Sequence, residues 1–132
     1  MSDRVFLDSN ILVYTIGQES MARSARAAMA RGHVISVQVL NEFANVARRK
    51  GLLQWAEIRE AALRFAQVLE IVPLTVGTHD QALALAERYG FAFYDSLIVA
   101  AALDAGCDVL YTEDLQHKQL IDGRLRVVNP FA

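Results

Sequence analysis

Four carboxylic acids lie in or beside apolar stretches of this sequence, where burying a charge is costly unless something compensates it. Asp8 directly follows the apolar run 5–7, Glu42 stands next to Phe43, and Asp95 lies just before the apolar run 97–103. Asp114 follows the hydrophobic stretch 109–112 by two residues. The four acids are therefore candidates for one functional cluster.

Such a cluster of carboxylic acids would support divalent metal chemistry. Converging carboxylates repel one another, and without a cation some of them are forced to protonate. Oxygen ligands from a few carboxylates and waters suit Mg²⁺, with Mn²⁺ as a substitute. Ser9, Asn10 and Thr112 could supply hydrogen bonds that orient the acids or bound waters.

The elements that would position these acids alternate between short apolar strands and helices. Strands are predicted at 4–7, 33–35, 71–74, 109–112 and 125–128, and helices at 11–16, 21–30, 37–49, 54–69, 79–89 and 94–105. Ser20, Ser36 and Thr78 are the predicted helix caps, and Pro73 places the third strand at an edge. This alternation predicts a three-layer α/β/α domain with a five-stranded, mostly parallel central sheet.

One rim of that sheet collects the acids. In a parallel α/β sheet the strand carboxyl ends and helix amino ends meet at the same rim, where ligands bind. Asp8 ends the first strand, Asp95 begins a helix, and Asp114 follows the fourth strand. Glu42 lies more than one turn into its helix, but its side chain leans toward the helix amino end and can reach the rim. The predicted catalytic and metal-ligand set is Asp8, Glu42, Asp95 and Asp114.

Each acid also has a simpler structural interpretation. Asp8 could cap the following helix, Asp95 could interact with the helix dipole, and Asp114 could stabilise a turn. The coincidence of three acids at one rim favours the metal site over three unrelated roles. Glu113, beside Asp114, is expected to point away from the cluster, although it stays a further candidate ligand.

Composition narrows the class of protein. The 132 residues are 54% hydrophobic and 21% charged, which predicts one globular domain spanning 1–132 and excludes a disordered chain.

Residues 1–4 do not resemble a signal sequence, and no apolar run is long enough to cross a membrane. A single cysteine predicts a cytoplasmic location. The net charge of −2 argues against coating nucleic acid through bulk charge, although a local basic patch remains open.

Four segments resemble, in order and spacing, the signatures of PIN-domain ribonucleases. They are Leu-Asp-Ser-Asn-Ile-Leu-Val-Tyr at 7–14, Asn-Glu-Phe at 41–43, Tyr-Asp-Ser-Leu-Ile at 94–98 and Tyr-Thr-Glu-Asp at 111–114. The likeness covers essentially the whole chain and is nearest to the toxin half of VapBC-type toxin–antitoxin pairs. It implies a central first strand and metal-dependent endonucleolytic cleavage of RNA. The implied acidic set is the same four residues, with Asn10 and Thr112 in support and Ser9 where the family often has Thr.

The resemblance also implies partners. It predicts an RNA substrate, a homodimer, and a cognate antitoxin that occupies the groove beside the site. Arg23, Arg26 and Arg31, with the basic run 48–50, are candidate phosphate contacts, although cations in the last turn of a helix are also expected from its dipole. An apolar surface around Leu52, Leu53 and Trp55 could face a partner or simply pack.

Other functions that use this rim fit less well. A haloacid dehalogenase-type phosphatase needs a second Asp two residues after the first, where this chain has Asn10. A response-regulator receiver needs a Lys after its last strand, and the segment 127–132 has none. Dinucleotide binding would need a glycine-rich turn after the first strand. A non-catalytic PIN-like module that binds RNA or protein, and a metal-dependent phosphatase, remain as alternatives.

Overall fold

The computed structural model describes residues 3–17 and 19–132 of the chain. Met1, Ser2 and Gln18 lie outside the described residues, and so does part of the segment 1–4 on which the signal-sequence prediction depends. The six described helices are α1 (Ser9–Ile16), α2 (Glu19–Ala30), α3 (Val37–Arg49), α4 (Trp55–Val68), α5 (Val76–Tyr89) and α6 (Phe93–Asp104). The strands are β1 (Val5–Leu7), β2 (Val34–Ser36), β3 (Glu70–Val72), β4 (Val109–Tyr111), β5 (Leu120–Ile121) and β6 (Leu125–Val128).

The strands form one sheet in the order β3-β2-β1-β4-β6-β5. All neighbouring pairs are parallel except β5 with β6. The predicted α/β class and the central position of β1 are thus confirmed, and β3, which precedes Pro73, lies at one edge as expected. Every residue of β1 and β4 is buried, because helices cover both faces of the sheet.

Within the described residues the sheet has six strands, where five were predicted. The additional strand β5 runs antiparallel to β6 at the outer edge. Residues 122–124 connect the two strands, and within this turn Asp122 and Gly123 have φ angles of 50° and 66°. An Asp-Gly pair is a strong hairpin signal because both positions tolerate positive φ, so this strand could have been recognised from the sequence.

Helix boundaries follow local signals, with two corrections. Ser36 caps α3 as predicted, its hydroxyl accepting from the amide N of Val39 at 3.3 Å. Thr75 rather than Thr78 caps α5, and Thr78 instead completes a reciprocal capping box three residues later. Ser20, a predicted cap, lies inside α2, which begins at Glu19.

Helix α6 is the most deeply buried helix segment. Its residues 96–103 are all buried, as expected for a helix that is apolar on every side. This packing anchors the first turn of α6, which carries Asp95, against the core. Among residues 3–17 and 19–132, no helix has both the length and the apolar character needed to span a bilayer.

Candidate metal centre

Asp8 is the buried acid of the rim. It follows β1 and caps α1, and only 3% of its surface is exposed. Its Oδ1 accepts from the amide N of Ser9 at 2.6 Å, and its Oδ2 accepts from the hydroxyl of Thr112 at 2.7 Å. Asp8 therefore caps α1, as the simpler interpretation predicted, and it also lies at the acidic rim.

Burial changes the protonation of this carboxyl. It raises the pKa of Asp8 from 3.8 to about 7, against the lowering effect of the hydrogen bonds from Thr112 and Ser9. The Glu42 and Asp114 carboxylates contribute to the rise by charge repulsion. Without a compensating cation, Asp8 is therefore held near the midpoint of its titration at neutral pH.

Asp95 and Asp114 complete a group of three acids with Asp8. One carboxylate oxygen from each lies within 4.8 Å of the others. Asp95 comes from the first turn of α6, and Asp114 follows β4, which pairs directly with β1. Burial raises the pKa of Asp95 to about 6, and repulsion from Asp114 and Glu42 adds to the effect.

Glu42 approaches the group from α3. The Ser9 hydroxyl donates to Glu42 Oε1 at 2.8 Å and lies 3.3 Å from Asp8 Oδ1. The amide of Gln38 donates to Glu42 Oε2 at 3.1 Å. Glu42 is thus connected to Asp8 through Ser9, while the group of oxygens within 4.8 Å contains Asp8, Asp95 and Asp114.

The donor chemistry of this site fits a hard divalent cation. All nearby ligand atoms of the three acids are oxygens, and two of the acids have raised pKa values that a cation would reverse. Asn10 donates to Asp114 Oδ2 at 3.0 Å. Its own Oδ1 is buried and has no hydrogen-bond partner within residues 3–17 and 19–132, so it is a further oxygen for a cation or its water.

A comparison with known families gives the decisive observation. The family model of the PIN domain matches residues 5–122. The chain belongs to the PIN domain family. No curated protein sequence matches it.

Solved structures similar to this PIN domain include three from toxin–antitoxin systems. The Mycobacterium tuberculosis VapC20 toxin, described as cleaving the sarcin-ricin loop, is 20% identical over 83% of this chain and 89% of its own, with a TM-score of 0.70. A toxin–antitoxin complex from Klebsiella pneumoniae is 23% identical over 96% and 97%, with a TM-score of 0.69. DNA-bound VapBC from Salmonella typhimurium is 25% identical over 94% and 97%, with a TM-score of 0.58.

Gln38 and Tyr14 are polar neighbours of the PIN-domain acids that the sequence analysis missed. Gln38 is buried and stands four residues before Glu42, a spacing that places two side chains together on a helix and could have revealed it. Tyr14 donates to Glu113 at 2.6 Å, and this bond raises the pKa of Tyr14 to about 12. Glu113 is thereby directed to Tyr14, away from the group formed by its neighbour Asp114.

The predicted basic surface is mostly solvent-exposed, whereas Leu52 and Leu53 of the predicted apolar surface are half-buried and pack against the core. Arg23, Arg26 and Arg31 are exposed in α2 and just after it. Arg48 lies over the ring of Trp55 at 5.1 Å, and Trp55 remains 61% exposed. A groove of about 450 Å³ lies between α1 and the end of α3, lined by Val13, Tyr14, Ile16, Gly17, Lys50 and Leu52. Their roles in binding stay predictions.

Proposed function

We propose that this PIN domain, spanning residues 1–132, is a metal-dependent endoribonuclease and the toxin of a type II toxin–antitoxin pair. The observation that carries the proposal is the meeting of Asp8, Asp95 and Asp114 within 4.8 Å at the carboxyl rim of the sheet. Such an arrangement is unfavourable without a cation, because two of its carboxyls are partly desolvated.

The acids take distinct roles in this proposal. Asp8 and Asp95 would hold the ion directly, and Asp114 would be an outer ligand or a ligand of a second ion. Glu42 is held by Ser9 and Gln38, and it would accept the proton of the attacking water or complete the ligand set. Thr112, Ser9 and Asn10 orient the acids through their hydrogen bonds.

The bound ion would be Mg²⁺, with Mn²⁺ as a substitute. It would supply a nucleophilic water at neutral pH and stabilise charge on the phosphate and the leaving oxygen. The four acids of this chain would position the ion and transfer protons. The reaction that they would support is cleavage of an RNA phosphodiester bond.

Similarity to the toxin–antitoxin structures supports the proposed partners. A cognate antitoxin would cover the groove beside α1, where the apolar residues Val13, Ile16 and Leu52 line the wall. A second copy of the chain would cover the exposed Trp55 at the amino end of α4. A cytoplasmic location agrees with these partners and with the single free Cys107.

Cleavage of RNA by purified, antitoxin-free protein tests the enzymatic proposal. We expect fragments with Mg²⁺ and none with EDTA, and we expect no cleavage by the Asp8→Asn variant. Circular dichroism and thermal melting confirm that the variant is folded. Asp8→Asn activity close to that of the wild-type protein would refute the proposed site.

The partner proposals have their own tests. Sedimentation at increasing protein concentration should show a dimer, and a monomer at every concentration would contradict it. A small DNA-binding protein encoded immediately beside this chain should co-purify with it and suppress the ribonuclease activity.

A further inference from the structure

A cleft outside the acid group lies between α3 and the amino end of α6. Its volume is about 380 Å³, and its lining consists of Gln38, Asn41, Glu42, Asn45 and Tyr94. Glu42 is one of the rim acids, and Tyr94 immediately precedes Asp95. The cleft therefore adjoins the position where a scissile phosphate would lie.

The α3 side of this cleft is a polar stripe. Residues 38, 41, 42 and 45 recur at steps of three and four, so they lie on one face of the helix. Gln38 already donates to Glu42. Asn41 and Asn45 are exposed, and their side chains make no hydrogen bond within the described part of the chain. Two amides are thus available to a ligand.

Tyr94 forms the opposite wall of the cleft. Its side chain is 63% exposed. Phe93 contacts it edge-on at 5.7 Å, and Phe93 itself packs against His79 at 5.4 Å. The ring is therefore supported from one side and accessible from the other, so little conformational freedom is lost when a planar ligand stacks on it.

The chemistry of these groups matches a nucleobase better than a phosphate. Among the described residues, no Lys or Arg lines the cleft, and Glu42 would repel a phosphate. Asparagine amides both donate and accept hydrogen bonds, as base edges do. An exposed tyrosine ring is the usual stacking platform for bases in single-stranded nucleic acid.

We propose that this cleft binds one unpaired base of the RNA next to the cleaved bond, stacked on Tyr94 with its edge facing Asn41 and Asn45. The proposal rests on the proposed ribonuclease function. A base in a duplex is paired and stacked within the helix and cannot enter the cleft. The nucleotide whose base enters the cleft is therefore unpaired.

Kinetics with a matched pair of RNAs test this specificity. The same oligonucleotide is presented alone and annealed to its complement, and we expect the wild-type protein to cleave the single strand much faster. Tyr94→Leu should lower kcat/KM on the single strand about 5- to 150-fold, the range expected for loss of one base–aromatic stack. Tyr94→Phe keeps the ring and should retain most of the activity.

A variant outside the cleft provides the control. Gln67 is an exposed amide on α4, and Gln67→Ala should cleave as the wild-type protein does, whereas Asn41→Ala with Asn45→Ala should change the preference among bases. Wild-type kcat/KM in Tyr94→Leu, or equal cleavage of the single strand and the duplex, would overturn the proposal.

Binding of an uncharged nucleoside separates the cleft from the metal chemistry. In metal-free buffer, adenosine or uridine should shift the side-chain amide NMR signals of Asn41 and Asn45 and leave that of Gln67 unchanged. This result would support the cleft even if no RNA were cleaved. If the protein cleaves RNA but neither nucleoside shifts these signals and Tyr94→Leu is fully active, the base site is wrong while the nuclease function stands.

Discussion

The hydroxyl of Thr112 donates to Oδ2 of Asp8 at 2.7 Å, across the pairing of β4 with β1. The same hydroxyl accepts from the amide N of Asp114 at 3.1 Å. One threonine side chain therefore sets the positions of two acids that are far apart in the sequence. Because Asp8 is buried, few groups stabilise its charged form, and the Thr112 hydroxyl is one of them.

Removing the Thr112 hydroxyl should weaken metal binding. Thr112→Val keeps the shape of the side chain but leaves Asp8 Oδ2 without its donor, so we expect a 10- to 100-fold loss of Mn²⁺ affinity, about what loss of a supporting hydrogen bond costs in metal sites. Isothermal titration calorimetry measures the Kd. Thr112→Ser, which retains the hydroxyl, should bind nearly as the wild-type protein does, and an unchanged Kd in Thr112→Val would contradict the role.

The metal-free protein should lose stability as the pH rises from about 4 to 7. Burial raises the pKa of Asp8 to about 7 and that of Asp95 to about 6 in the folded state. The unfolded chain releases these protons near pH 3.8, so across this window the folded state holds more protons than the unfolded state. The free energy of unfolding therefore falls through the window, by on the order of 4 kcal/mol for Asp8, and is constant above it.

Urea unfolding in EDTA at several pH values measures this dependence. Asp8→Asn should be more stable than the wild-type protein at pH 7.5 and should show a flatter pH profile. Asp80→Asn, which changes an exposed aspartate on α5, should keep the wild-type profile. If the wild-type protein in EDTA were most stable at pH 7.5, burial would not disfavour the charged form of Asp8, and this account would be wrong.

Divalent metal should raise the melting temperature at neutral pH. An ion that binds only the folded acid group at a hundredfold excess over its Kd adds about 2.7 kcal/mol, or about 10 °C for a domain of this size. Differential scanning fluorimetry with Mg²⁺ or Mn²⁺ measures the shift, with NaCl at equal ionic strength as the control. The shift should shrink at pH 5, where protons compete for Asp8 and Asp95, and should be lost in Asp95→Asn; a similar shift with NaCl alone would argue against the site.

A side chain at position 32 should destabilise the fold. A Cβ at this position would lie 2.4 Å from Cδ1 of Leu7, a fully buried residue adjacent to Asp8. Gly32→Ala should therefore destabilise the fold by about 1–3 kcal/mol through overpacking. Gly77→Ala is the matched control, because its Cβ would meet only Thr75 Oγ1 at 3.5 Å; its stability should be unchanged or slightly higher. Equal urea midpoints for the two variants would contradict this account.

Local sequence signals were sufficient for most of the fold. The Ser36 cap, the helix end at Tyr89 and the helix that carries the apolar run 97–103 depend on neighbours within a few residues, so propensity and periodicity predict them. The alternation of strands and helices predicted the parallel sheet. The strand at Leu120–Ile121 was missed because two residues carry almost no periodic signal, although the Asp122–Gly123 turn could have indicated it.

The sequence by itself determined which residues reach the rim, because strand ends and helix starts are local features and Asp8, Asp95 and Asp114 occupy them. Only the tertiary structure decided which oxygens meet within 4.8 Å, and that Ser9 and Gln38 hold Glu42 beside them. Strand order and side-chain packing are set by contacts between distant residues. The spacing of residues along the chain does not specify the distances between the side-chain oxygens at the rim. Close packing of the assembled core fixes those distances.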